Sequence, residues 1–518
     1  MSRLERRTVV SILLFPPKIN KPYRVLLFRR SEKVSTYRNK LAPIAGSVEE
    51  DDKTPLDAAW RELKEETCLG PQHIELWRRG PGFEFTNEKA VTGKDGKDEQ
   101  NNVDILLFQM NWEHVSLEWN KIDDILSGKI LDQCVPRLEI TLGQVWVNPE
   151  SLLHHGLEEL RLDHTHGARE LATMAVKTLI RIVEDDQQNR KPYTPEEIVR
   201  WWKTIRLEAF HLAFNGRPSM SAAISSAIVT ALQDAQGKVD AGGQDVLEDV
   251  KQSLVAYIGK RAEIAKRVGE RFSALLHDKF ELSMQNEASR IPIKILTLSA
   301  SSTIKAAILQ ALDAEDGRTI ELRVLESRPL FEGVSFAQTL TREAEDRVTG
   351  KKAGPRLHDQ LRIIISTDAS VGILSRGADI LIIGADRISE SGDVSNKTGS
   401  LPAVLTIKEV TGGSVKVVCI SEADKIAPPG AAEEHFEEDN EKTEVVGTWK
   451  QYESPAWDDM VTVRNVYFEW VPAKYIDYYV CEDGILLKDD IKKKSKLVSD
   501  LTAKAFTDLQ VAEDYQQL

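Results

Sequence analysis

The run Arg61-Glu62-Leu63-Lys64-Glu65-Glu66 puts three carboxylates and a guanidinium on consecutive turns of one expected helix. At about 3.6 residues per turn, Glu62, Glu65 and Glu66 share one side, while Leu56, Ala59, Trp60 and Leu63 share the other. The apolar side packs and the acidic side coordinates. Clustered carboxylates repel one another, and a face that only meets water usually intersperses lysines at i+4. A hard divalent cation such as Mg²⁺ or Mn²⁺ removes that repulsion. The chemistry implied is metal-assisted attack of water on a diphosphate, in which the ion acidifies the water and neutralises phosphate oxygens. Thr54 is placed to cap the helix, Pro55 suits its first turn, and Asp57 sits where a capping-box acid belongs.

A second set of polar residues follows short apolar runs in the other half. Ile293 to Ser299, Glu321 to Leu325, Leu361 to Ile365, Asp379 to Gly384 and Val415 to Ile420 are β-branched segments separated by helix-length intervals. They read as a parallel, doubly wound sheet, in which ligands bind outside the carboxyl ends of the strands. Ser299, Glu326-Ser327-Arg328-Pro329, Asp368 and Gly384-Ala385-Asp386-Arg387 fall at those ends. Asn396-Lys397-Thr398-Gly399-Ser400 adds a cation and small hydroxyl residues, the ingredients of a phosphate cradle.

These sites need more than one core, because 518 residues exceed what a single core usually serves. Residues 8 to 15, 23 to 28, 41 to 48 and 103 to 110 read as strands of a mixed sheet with flanking helices, and 92 to 97 as an exposed loop. Apolar spacing predicts a helix from Gly167 to Asp185, and the polar stretch from Asp186 to Pro192 marks a domain boundary. The expected units are 1–190, a helical subdomain at 195–290, and the doubly wound unit at 291–518. The acidic, apolar-poor segment 433 to 444 reads as a mobile surface insertion.

Composition narrows the class. Hydrophobic content of 41% with 29% charged residues describes a soluble globular chain, and no apolar run approaches a membrane span. The start lacks a secretory pattern, so a cytoplasmic location and no membrane partner are expected. Cys68, Cys134, Cys419 and Cys481 are scattered without a C-x-x-C pair, which points to free thiols. Net charge of -14 argues against direct nucleic-acid binding and favours small phosphorylated ligands.

The stretch from Gly46-Ser47-Val48-Glu49-Glu50 to Arg61-Glu62-Leu63-Lys64-Glu65-Glu66-Thr67 resembles the Nudix box. The resemblance implies a Nudix α/β/α sandwich, Mg²⁺ or Mn²⁺ on Glu62, Glu65 and Glu66, an Arg61 that orients a glutamate, and hydrolysis of a nucleoside diphosphate derivative, for example a nucleotide sugar such as ADP-ribose. Two features depart from the pattern. The loop after Gly46 is one residue longer, with Asp52-Lys53 where an acid is expected, and Cys68 stands where the box ends in glycine. His164 and His166 read as surface histidines.

Residues 195 to about 490 resemble the family that joins the regulatory subunits of translation initiation factor 2B with methylthioribose-1-phosphate isomerase and ribose-1,5-bisphosphate isomerase. The carrying motifs are Asn215-Gly216-Arg217-Pro218-Ser219-Met220, Ile295-Leu296-Thr297, Glu326-Ser327-Arg328-Pro329, Gly384-Ala385-Asp386-Arg387-Ile388 and Gly392-Asp393-Val394-Ser395-Asn396-Lys397. The resemblance implies a homodimer, a catalytic aspartate at Asp386, and contacts to a sugar phosphate or nucleoside monophosphate from Arg217, Arg328, Asn396 and Lys397. The isomerases' cysteine position holds Ser299, and a hydroxyl is a far weaker acid than a thiol. Three readings follow: a hydrolase joined to a binding domain, a regulatory or scaffold protein with a non-catalytic Nudix domain, and a working aldose–ketose isomerase.

Overall fold

The computed structural model describes residues 6–16, 19–34, 36–85, 98–103, 114–163, 166–189, 194–217, 220–243, 245–281, 292–313, 318–349, 360–430, 440–449, 461–506 and 509. The expected loop at 92 to 97, the run from 104 to 110, His164, and 431–439 of the acidic segment lie outside them.

The first part holds two small sheets. Strands β1 (Arg6–Ile12), β2 (Arg24–Arg30), β3 (Leu41–Ala42), β4 (Ile44–Ser47), β5 (Phe83–Phe85), β6 (Asp98–Val103) and β7 (His114–Lys121) divide between them. One is mixed, in the order β4-β1-β6-β5, and the other runs β3-β2-β7. Strand β1 pairs parallel with β6 and antiparallel with β4, which gives the expected mixed character. Val10, Ile12, Leu27 and Phe28 form a core with Ala58, Ala59 and Leu63 of the helix Pro55–Thr67.

That helix starts as its sequence requires. The Thr54 hydroxyl accepts the Asp57 N–H while the Asp57 carboxylate accepts the Thr54 N–H, and Pro55 follows the cap. It ends at Cys68, whose φ of 61° is left-handed and whose N–H donates to Lys64 O.

Five helices then share one apolar core: Leu152–Leu162, Ala168–Asn189, Pro195–Asn215, Ser221–Ala241 and Val246–Ala262. Leu157, Leu171 and Leu179 meet Ile205, Leu212, Ile228 and Leu254 there. The helices on either side of the expected boundary near 190 contribute to one core; Asp186 to Asn189 belong to the helix Ala168–Asn189, and 190–193 lie outside the described residues. The helix Ile264–Leu276 leaves the bundle and buries Val268, Phe272 and Leu275 against the parallel sheet.

The last unit contains β8 (Ile293–Leu298), β9 (Ile320–Leu325), β10 (Leu361–Ser366), β11 (Ile380–Ile383), β12 (Arg387–Ile388), β13 (Val394–Lys397), β14 (Lys416–Ile420), β15 (Phe468–Val471), β16 (Tyr478–Cys481) and β17 (Gly484–Leu486). Seven of these form a sheet in the order β10-β9-β8-β11-β14-β16-β17. All neighbours pair parallel except β16 with β17. Counted along the parallel strands, this is the doubly wound order, and the order reverses between β8 and β11, where such folds open a crevice. Strands β12, β13 and β15 form a separate antiparallel sheet. Within the acidic segment, Lys442–Val446 is a short helix. Among the described residues, no helix is long and apolar enough to cross a membrane.

Replacing Cys68 by glycine removes a Cβ from a left-handed residue that costs about 1–2 kcal/mol, offset by about 0.4–1 kcal/mol of unfolded-state entropy. The expected result is a Cys68→Gly variant more stable by roughly 0.5 kcal/mol, measured by denaturant titration.

Candidate functional site

Strand β4 sets the first site. A Cβ on Gly46 would stand 1.8 Å from Glu62 Cδ, so only glycine leaves the carboxylate its place. Arg61 reaches back over the loop that precedes its helix. Its Nη2 donates to Ser47 O at 2.7 Å and to Asp52 Oδ2 at 2.8 Å, and its Nε donates to Asp52 Oδ1 at 3.2 Å. Its Nη1 donates to Glu62 Oε1 at 2.8 Å and lies 3.5 Å from Glu65 Oε2. The Asp52 carboxylate also accepts the Glu49 N–H at 2.8 Å. The lengthened loop is thus pinned at Asp52, and the Arg61 fork holds that carboxyl below its usual range.

The three glutamates differ in exposure. The Glu65 side chain is 60% exposed and that of Glu62 14%, whereas Glu66 is 5% exposed. The evenly open acidic face expected from helical spacing is therefore graded: Glu62 packs against Gly46 of β4, and Glu66 is buried. Burial pushes Glu62 up, and the Arg61 guanidinium pulls the other way. Among the described residues no group of three or more His, Cys, Asp or Glu side chains is placed to hold a metal ion. The donor chemistry, carboxylate oxygens only, nevertheless suits a hard divalent cation. His166 is exposed and bonds Asp163 through Nδ1 at 2.6 Å.

The second site lies at the carboxyl edge of the parallel sheet. Ser299 follows β8 with φ 62°, and its N–H donates to Ser327 Oγ at 2.6 Å. The two Asp368 carboxylate oxygens, beyond β10, accept the N–H groups of Ser327 and Arg328 at 2.9 Å each. The ends of β8, β9 and β10 are so stitched together. Beyond β11, Gly384 is packed so closely that a Cβ would lie 3.2 Å from Asn396 Oδ1 and 3.9 Å from Ser301 Cβ. This brings the β11 end, the loop after β8 and Asn396 to the point where strand order reverses. The half-buried Asp386 is tied by its N–H to Ser395 O at 2.8 Å.

The expected phosphate ligands sit differently from one another. Asn396 is buried and donates to Ser400 Oγ at 2.8 Å. Lys397 is buried over the Tyr467 ring, 3.8 Å from its centroid, with Nζ 2.8 Å from Glu332 Oε1. The contact is ionic, because neither Lys397 Nζ nor Glu332 Oε2 finds hydrogen-bond alignment. Glu469 Oε1 accepts the N–H groups of Gly399 and Leu401 at 2.6 and 3.1 Å, at the start of the helix Ser400–Val410. Arg328 is exposed, packs over Phe331 and donates to Thr448 Oγ1. Arg217 is buried and donates to Asp163 O. It enters from the helical bundle, not from a strand end.

One group escaped sequence reading. Glu422, fully buried past β14, lies 3.3 Å from the Thr303 hydroxyl and within 3.9 Å of Arg261, which binds Asp424 at 2.7 Å. Burial drives the Glu422 carboxyl upward. The strand-end rule that marked Asp368 and Asp386 would have marked Glu422 as well, since it follows the fifth run directly.

Sequence comparison matches both halves of the chain to known families. Residues 5–136 match the NUDIX domain, and residues 164–349 and 351–488 match the Initiation factor 2 subunit family. That second match covers more than half of the chain, which therefore belongs to the initiation factor 2 subunit family and carries a NUDIX domain at its N-terminus. The chain is 24% identical to ribose 1,5-bisphosphate isomerase of Pyrococcus furiosus over 334 residues, which cover 64% of this chain and 88% of that protein. It is 29% identical to methylthioribose-1-phosphate isomerase of Magnetococcus marinus over 208 residues, 39% of this chain and only 52% of that one. Among solved structures, Pyrococcus horikoshii translation initiation factor eIF-2B is similar with a TM-score of 0.45 and 20% identity, covering 65% of this chain and 98% of that one.

Gly46→Ala is expected to push the Glu62 carboxylate aside, since the clash falls on the flexible end of a side chain. Hydrolase activity should drop by roughly tenfold or more while the melting temperature stays near that of the native chain. The Asp52 pairing has its own pH signature. A carboxyl held below its unfolded value stabilises fully above about pH 4 and loses that contribution as pH falls through its folded value. Asp52→Asn should flatten this acid limb in denaturation curves taken across that window.

Proposed function

We propose that the NUDIX domain hydrolyses a nucleoside diphosphate derivative, for example ADP-ribose, with Mg²⁺ or Mn²⁺, and that the second half binds a sugar phosphate or nucleoside monophosphate without turning it over. The observation that carries the first part is the Gly46–Glu62–Arg61 arrangement: a glycine cleared for a carboxylate, and a guanidinium that orients it. Glu62, Glu65 and Glu66 would hold the ion, whose chemistry is to acidify an attacking water and neutralise diphosphate oxygens. Glu65, the most open of the three, is the group best placed to reach solvent-delivered substrate.

The second part rests on Ser299. A hydroxyl in the isomerases' thiol position does not supply an anion near neutral pH without a strong base. Asp386 can still hold or move a proton there. Arg217, Arg328, Asn396 and Lys397 are assigned to the ligand's phosphate, which must displace Glu332 from Lys397 to use that ammonium. Cleavage of a nucleotide sugar at the first site releases a pentose phosphate, the ligand class of the second. By family resemblance the working unit is a homodimer.

Ser299 also favours a second reading, a regulatory protein of the initiation factor 2B type whose NUDIX domain binds without cutting. Phosphorus NMR of nucleoside diphosphate derivatives with magnesium separates the two. The native chain should cleave the anhydride, chelation should stop it, and Glu65→Gln should slow it by roughly a hundredfold, whereas Asp386→Asn should leave it intact. No cleavage by the native chain under any divalent ion selects the regulatory reading. Turnover of sugar phosphates by Ser299→Cys, absent from the native chain, would identify the hydroxyl as the step that was lost.

A further inference from the structure

Asn215 ties the helical bundle to the NUDIX domain with two hydrogen bonds. Asn215 ends the helix Pro195–Asn215, two residues before Arg217. Its Oδ1 accepts the Arg79 N–H at 2.7 Å, and its Nδ2 donates to Arg79 O at 2.8 Å. Nδ2 also lies 2.8 Å from His211 Nδ1. An amide nitrogen only donates, so His211 Nδ1 is the acceptor and the ring proton sits on Nε2. His211 is fully buried, and burial holds its imidazole well below its usual range, so the ring is neutral. Arg79, Asn215 and His211 thus form a chain with each donor and acceptor assigned.

The same junction has a second, separable part. Arg78 is buried over the Trp77 ring, 4.0 Å from its centroid, and its Nη2 lies 2.9 Å from His154 Nδ1. The turn after Asn215 has little freedom of its own. A Cβ on Gly216 would stand 2.7 Å from Leu160 Cδ1, and Arg217 donates to Asp163 O, so the turn is wedged against the end of the helix Leu152–Leu162.

We propose that Asn215 is a positioning residue: by gripping the Arg79 backbone it fixes the Gly216-Arg217 turn, so that the second site is complete only while the NUDIX domain is latched to it. This rests on the reading that Arg217 contacts the ligand's phosphate. A fold can carry a fused domain on a loose linker. Here the linking bonds fall two residues from a phosphate ligand, and a small shift there moves the guanidinium.

The test uses the full chain with Asn215→Ala and, as a control, Arg78→Met, which removes the neighbouring buried guanidinium but leaves the Asn215 grip. Calorimetry with ribose 5-phosphate should show about tenfold weaker binding for Asn215→Ala and little change for Arg78→Met, although both lower the melting temperature. Equal losses in the two variants, or none in Asn215→Ala, overturn the proposal. Should the native chain bind no ribose 5-phosphate, the ligand reading fails. Hydrogen exchange at the Gly216 and Arg217 amides then decides. About tenfold faster exchange in Asn215→Ala alone sustains the positioning role, and an equal or absent change in both variants refutes it.

Discussion

Carboxylates crowded onto one helix turn repel, and in this protein one guanidinium answers that repulsion. Arg61 spends its fork on Asp52 and its remaining nitrogen on Glu62, so it closes the preceding loop and orients the acid in one act. A lysine could not do both, because an ammonium lacks the planar fork. The loop, strand β4 and the helix depend on that pairing: Gly46 must stay bare for Glu62, and Asp52 must stay ionised for Arg61. The first site is therefore a balance of charge in which a divalent ion would compete with, and add to, an existing cation.

The second site obeys a different constraint. Parallel strands leave their carboxyl ends on one edge, and backbone N–H groups there need acceptors. Asp368 and Glu469 supply two such acceptors from within the chain, and Glu332 neutralises the buried Lys397. Internal carboxylates thus hold several of the donors that an anionic ligand would seek. Such a pocket is pre-organised, and entry of a phosphate has to replace bonds already made. Ser299 supports the proposed reading of binding without turnover, because its hydroxyl lacks a thiol's acidity.

Much of this was legible beforehand, for physical reasons. The cap at Thr54 and Asp57 is a local hydrogen-bond pattern, so four residues suffice to read it. The runs at 293–298, 320–325, 361–366, 380–383 and 416–420 are β-branched and isolated by helices, and strand pairing only confirmed them. Strands β12, β13, β15, β16 and β17, each two to four residues long, were not read, because so short a run has no period of its own and exists only through its partner. At the expected boundary near 190 the flanking helices share one core. A polar stretch looks the same whether it joins two domains or turns between two helices of one core.

Sequence alone determined which residue types stand at both sites: the acids along one helix, the polar groups at the strand ends, and a serine at Ser299. Those are properties of residue type and local spacing. Only the tertiary structure decided how open each glutamate is, which carboxylates sit on Lys397 and on the helix at Ser400, and that Asn215 grips Arg79. These partners are far apart along the chain, and burial and long-range pairing arise from packing, which no single segment encodes.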